Sequence, residues 1–145
     1  MDINGNMHNY SLFTDGAYSS SRNQIGVGVL FINNDLSTEV VRYSNMYKKG
    51  TNNMAELGAV IIGLRMIKKP IQSLTIYSDS MYVIGCATLG WKRKKNKIMW
   101  TEFDKQYERV KQLCPNIQFV HVKGHNGEKY NEIVDKLAVA ASQSI

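Results

Sequence analysis

The chain has 145 residues, of which 43% are hydrophobic and 21% charged, and its formal net charge is +6. This length suits one domain spanning residues 1–145 with a single core, and it excludes a second full domain. The basic excess favours a polyanionic partner, most simply nucleic acid, although surplus lysine also serves solubility alone.

Three extended segments joined by short turns follow a polar N-terminal stretch. We predict these strands at residues 9–18, 24–32 and 38–47. In the second strand, Gly26 and Gly28 alternate with valines, and such glycines thin one face so that another element packs closely. In the third strand, apolar and polar residues alternate imperfectly. The three segments predict an antiparallel meander.

Helical and extended patterns alternate over the rest of the chain. We predict helices at 51–69, 80–89, 98–113 and 130–142, and strands at 73–78 and 117–122. The first helix has two apolar stripes, which implies burial against both the sheet and another helix, and Pro70 is predicted to end it. The fourth strand follows a helix, so we expect it to lie parallel to the first. The order predicts an α/β fold with a mixed five-stranded sheet flanked by helices.

Four acidic residues lie at the start of a predicted helix, at the end of a predicted strand, or in a helix turn that faces such an end. They are Asp15, Glu56, Asp79 and Asp135. Asp15 ends the apolar run of the first strand, and Asp79 follows the fourth. Because these strands are predicted to be parallel neighbours, both carboxylates lie at one edge of the sheet. A carboxylate at the tip of a buried strand is costly unless a cation compensates it.

Each acid also has a purely structural interpretation. Asp15 precedes a glycine, a typical hairpin turn signal. Glu56 follows Asn53 by three residues, as in a capping box, and Asp79 is a natural helix N-cap. Asp135 fits an ordinary solvated helix face. If all four structural interpretations held, the similar placement of the four acids would be a coincidence.

Carboxylates held close together repel each other, raise one another's pKa values and need cations to remain ionised. Oxygen ligands without clustered Cys or His select Mg²⁺ or Mn²⁺ over zinc. Two such ions suit an in-line displacement at phosphorus, and Asp15 is the best placed of the four residues to bridge them.

Five motifs occur in this order along the chain: FTDGAY, TNNMAELGAV, IYSDSMYV, VKGHNG and NEIVDKLA. Together they resemble the motif set of type I ribonuclease H over residues 10–141. The resemblance implies the ribonuclease H fold and hydrolysis of the RNA strand of RNA/DNA hybrids, leaving a 5′-phosphate and a 3′-hydroxyl. It assigns the four acids as metal ligands and matches His125 to a loop histidine that assists proton transfer or product release. On its residues alone, His125 is equally an acid/base group or a solvated loop side chain, and we assign His121 a structural role.

The resemblance also implies substrate contacts. The backbone at Gly16 and Ala17 matches a close approach to the RNA, whose 2′-hydroxyl separates it from DNA. Asn52 and Asn53 match paired asparagines that reach minor-groove base edges, and Thr51 matches a residue that holds a DNA-strand phosphate with helix N-terminal amides. Helix capping is the alternative role for Thr51, Asn52 and Asn53.

Two segments depart from the family pattern. Met81 stands where many members carry glutamine, and a thioether cannot replace the paired donor and acceptor of an amide. The basic run Trp91–Lys97 is too short for the long handle of some bacterial members. We expect it to touch DNA phosphates weakly through residues such as Lys92, with Trp91 stacking on a sugar or base; a solvated lysine-rich loop is the alternative.

Other expectations concern the protein's setting. Cys86 and Cys114 lack metal-ligand spacing, which predicts free thiols in a reducing compartment. With no apolar run that spans a membrane and no secretory leader, we expect a cytoplasmic monomer. The N-terminus has no room for the separate hybrid-binding module of the family, which predicts low processivity. The competing interpretations are a ribonuclease H domain of a reverse transcriptase, a catalytically silent nucleic-acid-binding module, and an integrase- or resolvase-like relative.

Overall fold

The computed structural model describes residues 7–123 and 128–145, which form a mixed five-stranded sheet with four helices. The elements in chain order are β1 (Asn9–Ser19), β2 (Gln24–Asn33), β3 (Thr38–Lys48), α1 (Asn52–Arg65), β4 (Ser73–Ser78), α2 (Met81–Thr88), α3 (Lys97–Lys111), β5 (Asn116–His121) and α4 (Lys129–Ser142). The strand order is β3-β2-β1-β4-β5, with β1, β2 and β3 antiparallel and β4 and β5 added in parallel to β1. The predicted fold class and the pairing of β1 with β4 are confirmed.

Helices cover both faces of the sheet. The larger apolar cluster joins one face to α1, α2 and α3, and the smaller one joins the opposite face to α4 through residues such as Phe13, Leu30 and Val134. Within the described parts of the chain, no helix has the length and apolar character needed to cross a bilayer.

The two glycines of β2 lie directly beneath α4. A Cβ at Gly26 would stand 2.1 Å from the carbonyl oxygen of Ala138, and one at Gly28 would stand 2.4 Å from that of Val134. Both distances are shorter than van der Waals contact with backbone atoms that cannot move aside. The predicted close approach of another element is confirmed, and that element is α4.

Helix α1 ends at Arg65, so the predicted end at Lys69 before Pro70 was wrong. The reason is tertiary. Arg109 of α3 donates from its guanidinium to the carbonyl oxygens of Leu64, over 2.8 Å, and Ile67, over 2.6 Å. These bonds add to a tighter final turn, in which the Met66 and Ile67 N–H groups donate to the carbonyls of Gly63 and Leu64, and so satisfy carbonyls at the end of the helix.

The imperfect alternation of β3 marks a β-bulge. Phe31 pairs with Val41, but the next residue, Ile32, pairs with Glu39. Val40 is therefore the extra residue, and it is half-exposed. A bulge shifts the side chains on either side of it by one position, which breaks a period-two pattern in the sequence.

Candidate active site

Asp15 lies inside β1, so the hairpin-turn interpretation was wrong. Its Cα partner across the antiparallel ladder is Gly28, and the strand continues to Ser19 before the chain turns at residues 20–23. Asp15 is only 5% exposed. The strand therefore delivers a buried carboxylate rather than a surface turn.

Glu56 projects from α1 toward the same point. The N-cap of this helix is Thr51, whose hydroxyl accepts a hydrogen bond from the Met54 N–H over 3.2 Å, so the capping box with Asn53 was wrong. Glu56 is buried, and its Oε1 accepts a hydrogen bond from the main-chain N–H of Gly16 over 2.9 Å.

Asp79 follows the last residue of β4 and is exposed. The cap of α2 is its neighbour Ser80, whose hydroxyl accepts from the Val83 N–H over 3.2 Å, so the N-cap interpretation of Asp79 was also wrong. Because a neighbouring residue does the capping, the Asp79 carboxylate is available to face Glu56.

The fold brings the carboxylates of Asp15, Glu56 and Asp79 together. One oxygen from each lies within 4.8 Å of the others. Asp135 reaches the group from α4, on the opposite face of the sheet, and is close enough to Asp15 to raise its pKa through its charge and through a side-chain hydrogen bond. Four elements thus supply one acidic cluster, at the carboxyl end of β4 and beside the part of β1 that extends past it.

Burial and mutual repulsion change how this cluster titrates. Burial, followed by the charge of Asp79, raises the pKa of Asp15 from 3.8 to about 8, although the Gly16 N–H opposes the shift. Burial, and then the charges of Asp15 and Asp79, also raise the pKa of Glu56 strongly. Both carboxyls therefore hold protons at neutral pH unless a cation replaces them.

The donor set fits a hard divalent cation. It consists of carboxylate oxygens without a cysteine ligand, the set that Mg²⁺ and Mn²⁺ prefer. In the described ranges, the ion pairs join other acids, namely Glu39, Glu102, Asp104 and Glu108, to lysine or arginine. No described basic side chain pairs with Asp15, Glu56 or Asp79, so a bound cation is what would compensate them.

Gly16 allows β1 and α1 to meet at this cluster. A Cβ at this position would lie 2.4 Å from both the carbonyl carbon of Ala55 and the main-chain nitrogen of Glu56. In the fold, α1 fills the space that the missing Cβ of Gly16 leaves. The glycine is thus required for packing next to the acids.

The residues expected to contact substrate surround the cluster. Gly16 and Ala17 are partly buried beside Asp15. At the start of α1, Thr51 and Asn52 are exposed and Asn53 is partly buried. Met81, the first residue of α2, is 39% exposed and lies two positions after Asp79.

The basic segment between α2 and α3 forms no helix, consistent with the absence of a long handle there. Trp91 lies against Gly85, where an added Cβ would be 2.1 Å from its ring, and is 47% exposed. Lys92 is exposed, whereas Arg93 turns inward: its guanidinium stands 4.4 Å from the Trp100 ring centroid and pairs with Asp104 over 2.7 Å. Arg93 therefore anchors this segment.

His125 lies outside the described residues. Its neighbour in sequence, His121, is the last residue of β5, and its Nε2 lies 3.2 Å from the carbonyl oxygen of Asp79. Sequence reasoning gave His121 no role at the site. The signal was available, since a polar residue ending a strand parallel to β4 must lie near the residue that follows β4.

Both cysteines are free, as predicted, and both are also buried.

The chain is similar in sequence to known proteins. The RNase H family model matches residues 7–143. A Ribonuclease H of Trichodesmium erythraeum is 33% identical over 144 residues, with 93% of this chain and 89% of the relative covered.

Two solved structures share the fold. The N-terminal RNase H domain of a Mycobacterium tuberculosis protein superposes with a TM-score of 0.76 at 21% identity, covering 93% of this chain and 94% of that one. LC11-RNase H1, crystallised in complex with an RNA/DNA hybrid, gives a TM-score of 0.72 at 21% identity, covering 91% and 95%.

Proposed function

The chain belongs to the ribonuclease H family, and we propose that it is an endonuclease that hydrolyses the RNA strand of RNA/DNA hybrids with two divalent metal ions, leaving a 5′-phosphate and a 3′-hydroxyl. The similarity in fold to LC11-RNase H1, which was crystallised with such a hybrid, supports this choice of substrate. The net charge of +6 also suits a polyanionic ligand.

One observation carries the proposal: three carboxylates from β1, α1 and the end of β4 converge within 4.8 Å. Two of them are buried without a described basic partner. Such burial costs several kcal/mol when the group is charged and unpaired, and without a cation the two carboxyls avoid that cost only by keeping their protons at neutral pH. A fold that served only for packing would gain by replacing these residues.

The residues that would hold the ions are Asp15, Glu56, Asp79 and Asp135. Asp15 interacts with the other three, since it shares the Gly16 N–H with Glu56 and its pKa responds to Asp79 and Asp135. This central position supports its assignment as the bridging ligand. Bound Mg²⁺, or Mn²⁺ as a substitute, supplies charge stabilisation at the scissile phosphate and lowers the pKa of the attacking water.

The protein's own groups orient the ligands and handle protons. The Gly16 N–H donates to Asp15 and Glu56 and so fixes one oxygen of each carboxylate. We assign His125 to proton transfer or product release, by its match to the family's loop histidine. A group with a pKa near neutrality suits such a role.

Recognition of the hybrid is assigned to the surface around the cluster. Backbone atoms of Gly16 and Ala17 approach the RNA strand, Asn52 and Asn53 reach base edges in the minor groove, and Thr51 with the first amides of α1 holds a DNA-strand phosphate. Met81 lies at the same edge as a weaker contact. Trp91 and Lys92 contribute from the segment before α3, both being exposed.

We place the enzyme in the cytoplasm as a monomer. The buried free thiols of Cys86 and Cys114 support a reducing compartment.

The test is cleavage of a labelled RNA/DNA hybrid, compared with double-stranded RNA and double-stranded DNA, in Mg²⁺ and in chelator. We expect cleavage of the RNA strand of the hybrid alone, only with metal, and a new 3′-hydroxyl at each cut. Asp15→Asn should abolish cleavage while leaving hybrid binding largely intact. Glu108→Gln is the matched control, because Glu108 is an exposed acid of α3 whose ion pair with Lys111 lies on the surface. Equal cleavage by Asp15→Asn and wild type would refute the assignment of the cluster.

A further inference from the structure

We propose that His121 is a positioning residue that fixes the backbone under Asp79 and so sets the affinity of the site for its metal ions; the inference rests on the proposed function. His121 Nε2 lies 3.2 Å from the Asp79 carbonyl oxygen. A carbonyl oxygen can only accept, so Nε2 must carry the proton in this contact.

The contact falls where the β-ladder between β4 and β5 ends. Ser78 pairs with His121 in the parallel register, and the Ser78 carbonyl accepts from the Val122 N–H over 2.8 Å. The next carbonyl along the chain belongs to Asp79 and lies beyond the paired strand. The side chain of His121 donates to this carbonyl.

Asp79 needs this support more than the other ligands do. Asp15 sits within a paired strand and Glu56 within a helix, whereas Asp79 occupies the junction between β4 and α2 and is exposed. The Ser80 N–H bonds to the Ser78 hydroxyl over 3.1 Å, which holds the far side of the junction. His121 holds the carbonyl of Asp79 itself.

A histidine meets the geometric requirement that a shorter donor does not. The Nε2 atom is the far nitrogen of the ring, so its N–H reaches from the end of β5 to the residue after β4. Glutamine places an amide N–H at a similar distance from the backbone, asparagine does not, and leucine carries no donor. This series separates the hydrogen bond from the bulk of the side chain.

The experiment measures metal binding directly. MgCl₂ and MnCl₂ are titrated calorimetrically into wild type, His121→Leu, His121→Gln and His121→Asn, and thermal melting is recorded in chelator. Hydrolysis of the hybrid is followed against Mg²⁺ concentration. Gln118→Leu is the control, because Gln118 on β5 donates from its side chain to the Thr75 hydroxyl of β4 over 3.3 Å, a cross-strand bond of the same kind.

We expect His121→Leu and His121→Asn to bind metal about tenfold more weakly, as the loss of a group that orients a metal ligand commonly does, with kcat restored at saturating Mg²⁺. His121→Gln and Gln118→Leu should bind like wild type. The proposal is overturned if the leucine and asparagine variants bind metal as wild type does, or if all three His121 variants, including glutamine, weaken it equally. A wild-type protein that binds metal but does not cleave hybrid would count against the proposed function and leave this comparison of affinities valid.

Discussion

The main-chain N–H of Gly16 donates to Glu56 Oε1 over 2.9 Å and to Asp15 Oδ1 over 2.8 Å. Two carboxylates that repel each other thus share one donor, at the point where β1 and α1 are in van der Waals contact. The packing of this strand on this helix and the geometry of the acidic cluster are therefore one feature of the fold.

Gly16→Ala should disturb both the packing of β1 on α1 and the geometry of the acidic cluster. The added Cβ would meet backbone atoms of Ala55 and Glu56 at 2.4 Å, so the helix must shift. We expect a loss of about 3 kcal/mol in the free energy of unfolding, at the upper end of overpacking effects, measured by urea denaturation. Metal-dependent cleavage should fall as well, because Glu56 moves with its helix.

Gly58→Ala is the matched control in the same helix. Its added Cβ would be 3.7 Å from the Met99 side chain, an ordinary contact. Alanine should raise stability by about 0.5–1 kcal/mol because it restricts the unfolded chain and favours the helix. A Gly16→Ala protein as stable as wild type would show that α1 can move away from β1 at little cost in free energy.

The raised pKa of Asp15 predicts how the metal-free protein responds to pH. The folded protein keeps this proton up to about pH 8, whereas the unfolded chain releases it from its ordinary value of 3.8. The unfolded state therefore binds fewer protons across this interval, and the free energy of unfolding should fall as the pH rises from about 4 to about 8. Thermal melting in chelator at a series of pH values measures the slope.

Asp15→Asn should make that slope shallower, although Glu56 with its raised pKa still contributes to it. The variant should melt higher than wild type in chelator at pH 7.5, by roughly 5 °C if the change is worth about 2 kcal/mol. Added Mg²⁺ should raise the melting temperature of wild type and not that of the variant. Equal slopes for both proteins would mean that Asp15 ionises normally in the fold. Glu108→Gln, an exposed acid paired with Lys111, serves as the control for loss of one surface charge.

The basic residues of the segment before α3 should have two different roles. Replacing Lys92, Lys94 and Lys95 with alanine should weaken hybrid binding and lower its salt dependence by about one unit of slope for each lost phosphate contact, without affecting folding. Arg93→Ala should instead cost about 1 kcal/mol of stability, because it removes the contact with Trp100 and the pair with Asp104. Binding measured from 50 to 200 mM salt, with melting curves, distinguishes them. An unchanged salt slope in the lysine variant would make those residues ordinary surface.

His125→Ala should slow turnover by about ten- to a hundredfold without abolishing it, in line with a group that assists proton transfer or product release. Single-turnover and steady-state rates on the hybrid, compared with His8→Ala as a histidine replacement away from the motif loop, provide the measurement. Complete loss of single-turnover cleavage would assign His125 an essential chemical role instead.

The fold was predictable from the sequence because its signals are local. Strand-like segments, a helix with two apolar stripes, and the rule that a strand after a helix crossover is parallel were sufficient to place β4 beside β1. Gly26 and Gly28 predicted a close contact, but only the tertiary structure shows that α4 makes it. The end of α1 depended on Arg109, more than forty positions away, which no local pattern reveals.

The site was harder to derive because adjacent residues compete for one local role. Thr51 and Asn53 are both good caps, as are Asp79 and Ser80, and sequence alone does not rank such neighbours. The structure assigns capping to Thr51 and Ser80. The strand order signalled that His121 lies near Asp79, but the sequence does not show which atoms meet, here a ring nitrogen and a carbonyl oxygen.

The central claim is that these carboxylates converge on a divalent cation. Crystals soaked in MnCl₂, examined by anomalous scattering above and below the manganese edge, test it most directly. We expect an anomalous peak in contact with oxygens of Asp15, Glu56 and Asp79. Ordered crystals with no peak there, at a manganese concentration that supports cleavage in solution, would contradict it.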